Sequence, residues 1–315
     1  MQRVLIFLVI AGGMGLSVEA GLLGPLAGQV GDLWATMSIF AIGAALTFLL
    51  MLFFSPRQSP SFFSLPGWQL TGGLLGPGYV LILTIVTPTI GIAMTITGVL
   101  AGQVCKSLLI DHFGWFGSPR RKIDRRRVIA LLFIVAALVL IAVDSGADMN
   151  MLMIILSLIG GALLSVQAAV NGRLGAQVGI LRSAFLTFSI GALVTGLFIV
   201  FFAPQQSMTL LDVPKWQLLG AFCGVPYIVI MVLAVQRIGT ATATVAVIFG
   251  QLAMSLLIDN FGWLGNSAIA FSPQRLAAVL CLALALYFIY ASGVSGAVAP
   301  SKRPGKAKWL STERE

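Results

Sequence analysis

Charge is scarce in this chain. Asp, Glu, Lys and Arg together make up 9% of its 315 residues, against roughly 25% in an ordinary soluble domain. So few polar groups cannot cover a water-facing surface, which excludes a soluble globular protein. Histidine is scarcer still, with His112 alone. The three cysteines, Cys105, Cys223 and Cys281, each fall in an apolar run. They have neither disulfide spacing nor the spacing of metal ligands, so no metal and no cofactor is expected. A glycine-rich phosphate loop ending in Lys-Ser or Lys-Thr is missing, which excludes an ATP-driven pump on this chain alone. No nucleophile, base and acid stand together, so an enzyme is not expected. The alternating ten-residue segments of an outer-membrane barrel are missing as well.

What the chain has instead is apolar length. Hydrophobic residues make up 58% and the mean hydropathy is +1.02. A membrane-crossing helix needs roughly 20 residues, and the runs predict an all-α membrane protein with ten such helices. They lie at about 4–23, 34–54, 68–87, 90–110, 128–144, 151–171, 183–202, 216–235, 239–258 and 275–293. The net charge of +9 sits in loops and tail, so it reads as an orientation signal and implies no nucleic acid. One side of the spans gathers sixteen Lys and Arg, among them Arg57, Arg120 to Lys122, Arg125 to Arg127, Arg173 and Arg237. The other side has Lys215 and Arg275. Cytoplasmic loops carry the positive excess, so both termini are expected in the cytoplasm. The start of the chain, with Arg3 and Val18-Glu19-Ala20, imitates a secretory signal and its cleavage site. The same pattern recurs at 160–172, where no signal can lie, so the first helix is expected to be retained.

That recurrence is general. Shifted by 148 positions, residues 12–117 align with 160–265 without a gap, and 46 of the 106 pairs are identical. Ser107 to Asp111 and Ser255 to Asp259 share Ser-Leu-Leu-Ile-Asp, and Phe-Gly-Trp follows each copy. The chain is a duplicated unit: a first repeat over 1–144, a second over 145–293, and a basic cytoplasmic tail over 294–315. Five spans is an odd number, so the second copy is expected upside down relative to the first. Inverted repeats are the architecture of alternating-access transporters.

Polar side chains deep in such spans mark a cavity or a helix contact. Glu19 is the one carboxylate well inside a span, which makes it the candidate proton carrier. Lys106 lies near the cytoplasmic end of its own span, at a depth that differs from Glu19 by roughly 16 Å at 1.5 Å per residue. It is expected to snorkel to the surface. Gln167 and Asn171 share one helix face. Gln103 and Gln251 match across the repeat. Each of these four amides fits either a substrate cavity or an interhelical bond. Pro77 and Pro226 interrupt matching spans, and a helix-internal proline removes a backbone bond. Tyr79 and Tyr227 follow too deep for an interfacial belt, so both are expected to point inward. Asp111 and Asp259 end their spans and are expected at the two membrane surfaces, beside Trp115 and Trp263. The repeated small residues, such as Gly98 with Gly102, predict close helix packing.

The run Gly160-Gly161-Ala-Leu-Leu-Ser-Val-Gln167-Ala-Ala-Val-Asn171-Gly172-Arg173-Leu174 resembles the first-span motif of the YdcZ-like inner-membrane exporters, in the drug/metabolite transporter superfamily. The Trp-Gln pairs at 68–69 and 216–217, the Gly-Gln pairs at 102–103 and 250–251 and the Ile-Asp-x-Phe-Gly segments are similar to that family too. The resemblance covers about 4–293, as two fused units. It implies export of small molecules across a bacterial inner membrane. With Glu19 as the candidate proton carrier, the lipid bilayer, a small-molecule substrate and protons are the expected partners. The first half departs from the motif, with Glu19 in the place of Gln167 and Leu23 in that of Asn171. A non-transporting assembly or regulatory protein that keeps a transporter-like fold fits the same residues. A monomer and a homodimer both stay open.

Overall fold

A computed structural model of the chain describes residues 2–54, 65–90, 92–117, 120, 123–145, 150–202, 210–238, 240–266, 268 and 272–296. Arg57, Arg121, Lys122 and the tail beyond Gly296 lie outside the described residues. Those described form ten α-helices and no strand: α1 (Gln2–Val30), α2 (Asp32–Phe54), α3 (Thr71–Ile90), α4 (Ile92–Phe113), α5 (Arg125–Ser145), α6 (Met151–Val178), α7 (Ile180–Phe202), α8 (Gly220–Ile238), α9 (Thr240–Phe261) and α10 (Pro273–Gly296). Seven of them, α1, α2, α3, α6, α7, α8 and α9, are long and apolar enough to cross a membrane.

The bundle is apolar outside, and its mainly apolar interior also holds polar side chains. Phe7, Leu52, Phe53, Val143, Leu193 and Val200 are exposed, whereas Ser17, Thr36, Gln103, Ser165, Thr187 and Gln251 are buried. That suits a hydrocarbon solvent, which leaves helices no hydrophobic reason to associate and rewards close backbone packing instead. The glycines supply it. A Cβ on Gly161 would overlap the Val99 carbonyl of α4, and one on Gly102 the Leu158 carbonyl of α6. The matching overlaps join α1 and α9, Gly13 on Val247 and Gly250 on Ile10. Each crossing carries one hydroxyl bond, Ser165 Oγ to the Gln103 carbonyl at 2.7 Å and Ser17 Oγ to the Gln251 carbonyl at 2.6 Å.

Packing respects the repeat throughout. α4 lies on α6 as α9 lies on α1, and α3 lies on α6 as α8 lies on α1. α2 pairs with α7, its own counterpart, and α5 with α10. Exchanging α1–α5 with α6–α10 therefore maps the set of contacts onto itself.

Helix ends differ from the sequence expectation in α1 and α6, which run on to Val30 and Val178 instead of stopping near 23 and 171. Pro25 sits inside α1. A proline at that position leaves the carbonyl four residues back without its helical donor. Asn266 Nδ2 supplies one, reaching the Gly21 carbonyl at 3.0 Å. Each long helix ends at a left-handed glycine, Gly31 (φ 81°) and Gly179 (φ 91°), a conformation that costs glycine least. α3 and α8 run unbroken through Pro77 and Pro226, so these prolines are helix-internal positions and not chain breaks.

The repeated Phe-Gly-Trp segments form short 3-10 turns, Trp115–Gly117 and Trp263–Gly265. Phe116 (φ 57°) and Leu264 (φ 62°) hold left-handed backbones at matching places. The first turn packs on α6 and the second on α1. The Trp-Gln segments, in Gly67–Leu70 and Lys215–Leu219, dock on the same two helices, with Gln69 and Gln217 buried.

Candidate functional site

Six helices, α1, α2, α3, α6, α7 and α8, line a cavity of about 30 Å³. A water molecule needs roughly 10–15 Å³ of such space, so there is room for about two. Thirteen residues line it: Leu16, Glu19, Ile39, Phe40, Gly76, Tyr79, Val80, Leu164, Gln167, Phe188, Gly224, Tyr227 and Ile228. All but Ile39 fall into six pairs related by the 148-residue offset. The cavity thus sits where the two repeats meet, and each repeat contributes the same positions to it.

The polar groups are few and buried. Glu19, Tyr79, Gln167 and Tyr227 are each exposed by 5% or less. Among the described residues, neither Glu19 Oε2 nor the Tyr79 hydroxyl has a hydrogen-bond partner. Gln167 Nε2 donates to the Gly72 carbonyl at 3.2 Å. Phe40 and Phe188 face each other with ring centroids 5.9 Å apart. Each ring lies over a glycine of the facing helix, Gly191 and Gly43. No Lys, Arg or His is among the lining residues, so an anion would find no counter-charge here.

Glycines make room for the two side chains at the matched polar position. A Cβ on Gly224 would stand 2.6 Å from Glu19 Oε2, and one on Gly76 would stand 2.7 Å from Gln167 Nε2. Both glycines lie on the proline-bearing helices. This explains why glycine, proline and tyrosine cluster in the same turns of α3 and α8.

The other predicted residues are placed as follows. Asn171 lines a second, smaller cavity of about 10 Å³ that shares Gln167, Tyr227 and Ile228 with the first. Its Oδ1 stands close to where a Cβ on Gly72 would be. Gln103 and Gln251 line neither of these two cavities. They are buried at the α4–α6 and α9–α1 crossings, and the Gln103 Nε2 and both polar atoms of the Gln251 amide lack partners among the described residues. Lys106 Nζ lies 5.0 Å from the Trp115 ring centre, away from Glu19. His112 accepts at Nδ1 from the Ile123 backbone at 3.3 Å. In the described residues no group of three His, Cys, Asp or Glu is placed to hold a metal.

Asp111 and Asp259 stand near the ends of α4 and α9, and their side chains are buried within the protein: both are 2% exposed. Asp111 pairs with Arg127 at 3.9 Å and Asp259 with Arg275 at 3.8 Å. α5 and α10 pack over the ends of α4 and α9 and take each charge out of water, so each carboxylate is matched by a guanidinium. The signal was in the sequence. The 148-residue offset that relates Asp111 to Asp259 also relates Arg127 to Arg275. Phe40 and Phe188 were legible in the same way, as an identical pair next to small residues.

Among curated proteins, none matches the chain. A solved structure described as "Crystal structure of protein" superposes with a TM-score of 0.66 over 93% of this chain and 98% of its own, at 16% identity. That likeness shows a shared fold. The family described as "Putative inner membrane exporter, YdcZ" matches residues 4–140 and again 152–288. Two matches that cover nearly the whole chain, one per repeat, place the protein in that family: it belongs to the YdcZ inner-membrane exporters, as a multi-pass membrane transporter built from two family units.

Proposed function

We propose that the protein is a secondary-active exporter of small organic molecules, in which two inverted five-helix halves expose one shared cavity alternately to either face of the membrane. The halves are residues 1–144 and 145–293, all ten helices cross, and both termini are cytoplasmic. Exchange-symmetric packing supports this, because two interconvertible halves with an odd number of spans each provide mirror-related inward and outward states. Glu19 carries the proton. Tyr79, Tyr227 and Gln167 orient substrate, and Asn171 lines the approach from the second cavity.

The single observation that carries this reading is the buried carboxylate of Glu19 in a cavity lined in matched pairs by both halves. A buried ionisable group in a membrane protein is costly unless it works. An apolar cavity holding one acid and no base suits a neutral or cationic substrate exchanged for a proton.

The test uses purified protein in liposomes, with a panel of metabolites and organic cations and an imposed pH gradient. Transport driven by the gradient is expected. Glu19→Gln should still bind substrate and lose the dependence on the gradient. Unchanged coupling in that variant would remove Glu19 from the mechanism. Folded protein that moves nothing across a broad panel would favour a non-transporting assembly or regulatory role.

A further inference from the structure

Two of the helices that do not line the cavity, α5 and α10, are tied together at both ends, and the two ties are unequal. At one end Arg127, in the first turn of α5, donates from Nε to Ser292 Oγ of α10 at 3.2 Å. At the other end Arg275, in the first turn of α10, donates from Nε to Asp144 Oδ2 of α5 at 2.6 Å. Arg127 and Arg275 match across the repeat, and so do Ser292 and Asp144. The supporting contacts match too. Asp124 caps the Arg127 backbone at 2.9 Å as Ser272 caps that of Arg275 at 3.2 Å. Asp111 and Asp259 hold each arginine from within its own half. The bonds to 144 and 292 are different in kind, because they cross from one half to the other.

One repeat position thus carries a carboxylate in one copy and a hydroxyl in the other. A guanidinium bound to a carboxylate makes a shorter, stronger bond than one bound to a neutral hydroxyl. Arg126 adds a bond at the weaker end, Nη1 to the Ala291 carbonyl at 2.8 Å. That bond is exposed, and water competes with it. Both Nε bonds are shielded, with Arg127 and Ser292 2% and 7% exposed and the Arg275 and Asp144 side chains 4% and 12% exposed, so the two differ in charge and not in burial.

The geometry points to Asp144 as the residue that sets the resting orientation: its bond to Arg275 keeps the non-cytoplasmic seam between the halves shut, so the unloaded protein rests open to the cytoplasm. This rests on the inverted-repeat transporter reading. Alternation opens one seam at a time, and unequal clasps weight the two states unequally. An exporter that loads from the cytoplasm needs that weighting. Asp144 touches no substrate and acts through Arg275, as a positioning residue.

The experiment measures distances between spin labels on the full chain in nanodiscs without substrate, with the three native cysteines replaced. Labels at Thr89 and Lys215 report one face, and labels at the matched positions Gly67 and Arg237 report the other. The wild type is expected to hold the 67–237 distance mostly long and the 89–215 distance mostly short. Asp144→Ser should shift the ratio of the two states toward the other face by about tenfold, the scale of one charge-assisted bond. Asp144→Glu should restore most of it. Ser292→Asp should shift the ratio the same way as Asp144→Ser, by strengthening the opposite clasp, and the double exchange should shift it furthest. A protein that folds and populates two states whose ratio ignores position 144 would overturn the clasp and leave the transporter reading standing. A single distance at each face in every variant, at acidic and at neutral pH, would overturn both.

Discussion

The two halves agree in packing and disagree in polar chemistry. Gly13 and Gly161, Gly102 and Gly250, Phe40 and Phe188, and Tyr79 and Tyr227 are kept in both copies, and each does the same job in both. Glu19 faces Gln167, Leu23 faces Asn171 and Asp144 faces Ser292. Backbone contact tolerates no added atoms, so the crossings had to stay alike after duplication. A side chain that faces a cavity or a seam meets space or a partner that can change, so those positions were free to diverge. The difference teaches where to look: residues common to both copies build the frame, and residues that differ at matched places give the frame a direction.

The harshest way to break this comparison is to fill a crossing. Gly161→Leu and Gly13→Leu should each cost about 3 kcal/mol or more, the upper range for overpacking, because the obstacle is a backbone carbonyl that cannot rotate away. Thermal unfolding in detergent should show little folded protein for either variant. A large loss for one and none for the other would mean that the two crossings are not equivalent.

Exchanging the divergent pair sharpens it. Glu19→Gln with Gln167→Glu moves the carboxylate to the matched wall of the same cavity. Gradient-driven transport should be lost in the single variant and return in the double one. Persistent loss in the folded double variant would mean that the walls are alike in position but not in access to the proton.

A smaller effect is expected at the glycines facing the polar pair. Gly224→Ala pushes on the Glu19 carboxylate and should slow transport roughly tenfold or more, as misplacement of a reacting group does. Gly76→Ala pushes on the Gln167 amide and should cost less. Initial rates at saturating substrate would compare them, and a larger loss at Gly76 would make Gln167 the more sensitive wall. The smallest change is expected at the crossing amides. Gln251→Leu and Gln103→Leu should each alter stability by no more than about 1 kcal/mol, since three of their four amide atoms have no bond to lose and interhelical side-chain bonds in membranes are weak. A transport defect without a stability change would return these glutamines to the substrate path.

The sequence alone determined the class, the duplication and the polar residues of the cavity. Those follow from quantities that are linear along the chain: apolar length, charge count and self-similarity at one offset. Helices α1 and α6 were legible except at their ends, where the apolar run stops before the helix does; at Pro25 of α1 it is Asn266, far away in sequence, that satisfies the Gly21 carbonyl. Glu19, Tyr79, Gln167 and Tyr227 were legible because a polar side chain in an apolar run needs a reason to be there. Their meeting in one cavity, and the absence of Gln103 and Gln251 from its walls, depended on which face each helix turns inward. Only the tertiary structure decided that. It also decided that Asp111 and Asp259 are buried. A carboxylate at a helix end looks solvated in one dimension, and it becomes a buried ion pair once α5 and α10 fold over it and bring Arg127 and Arg275 within reach.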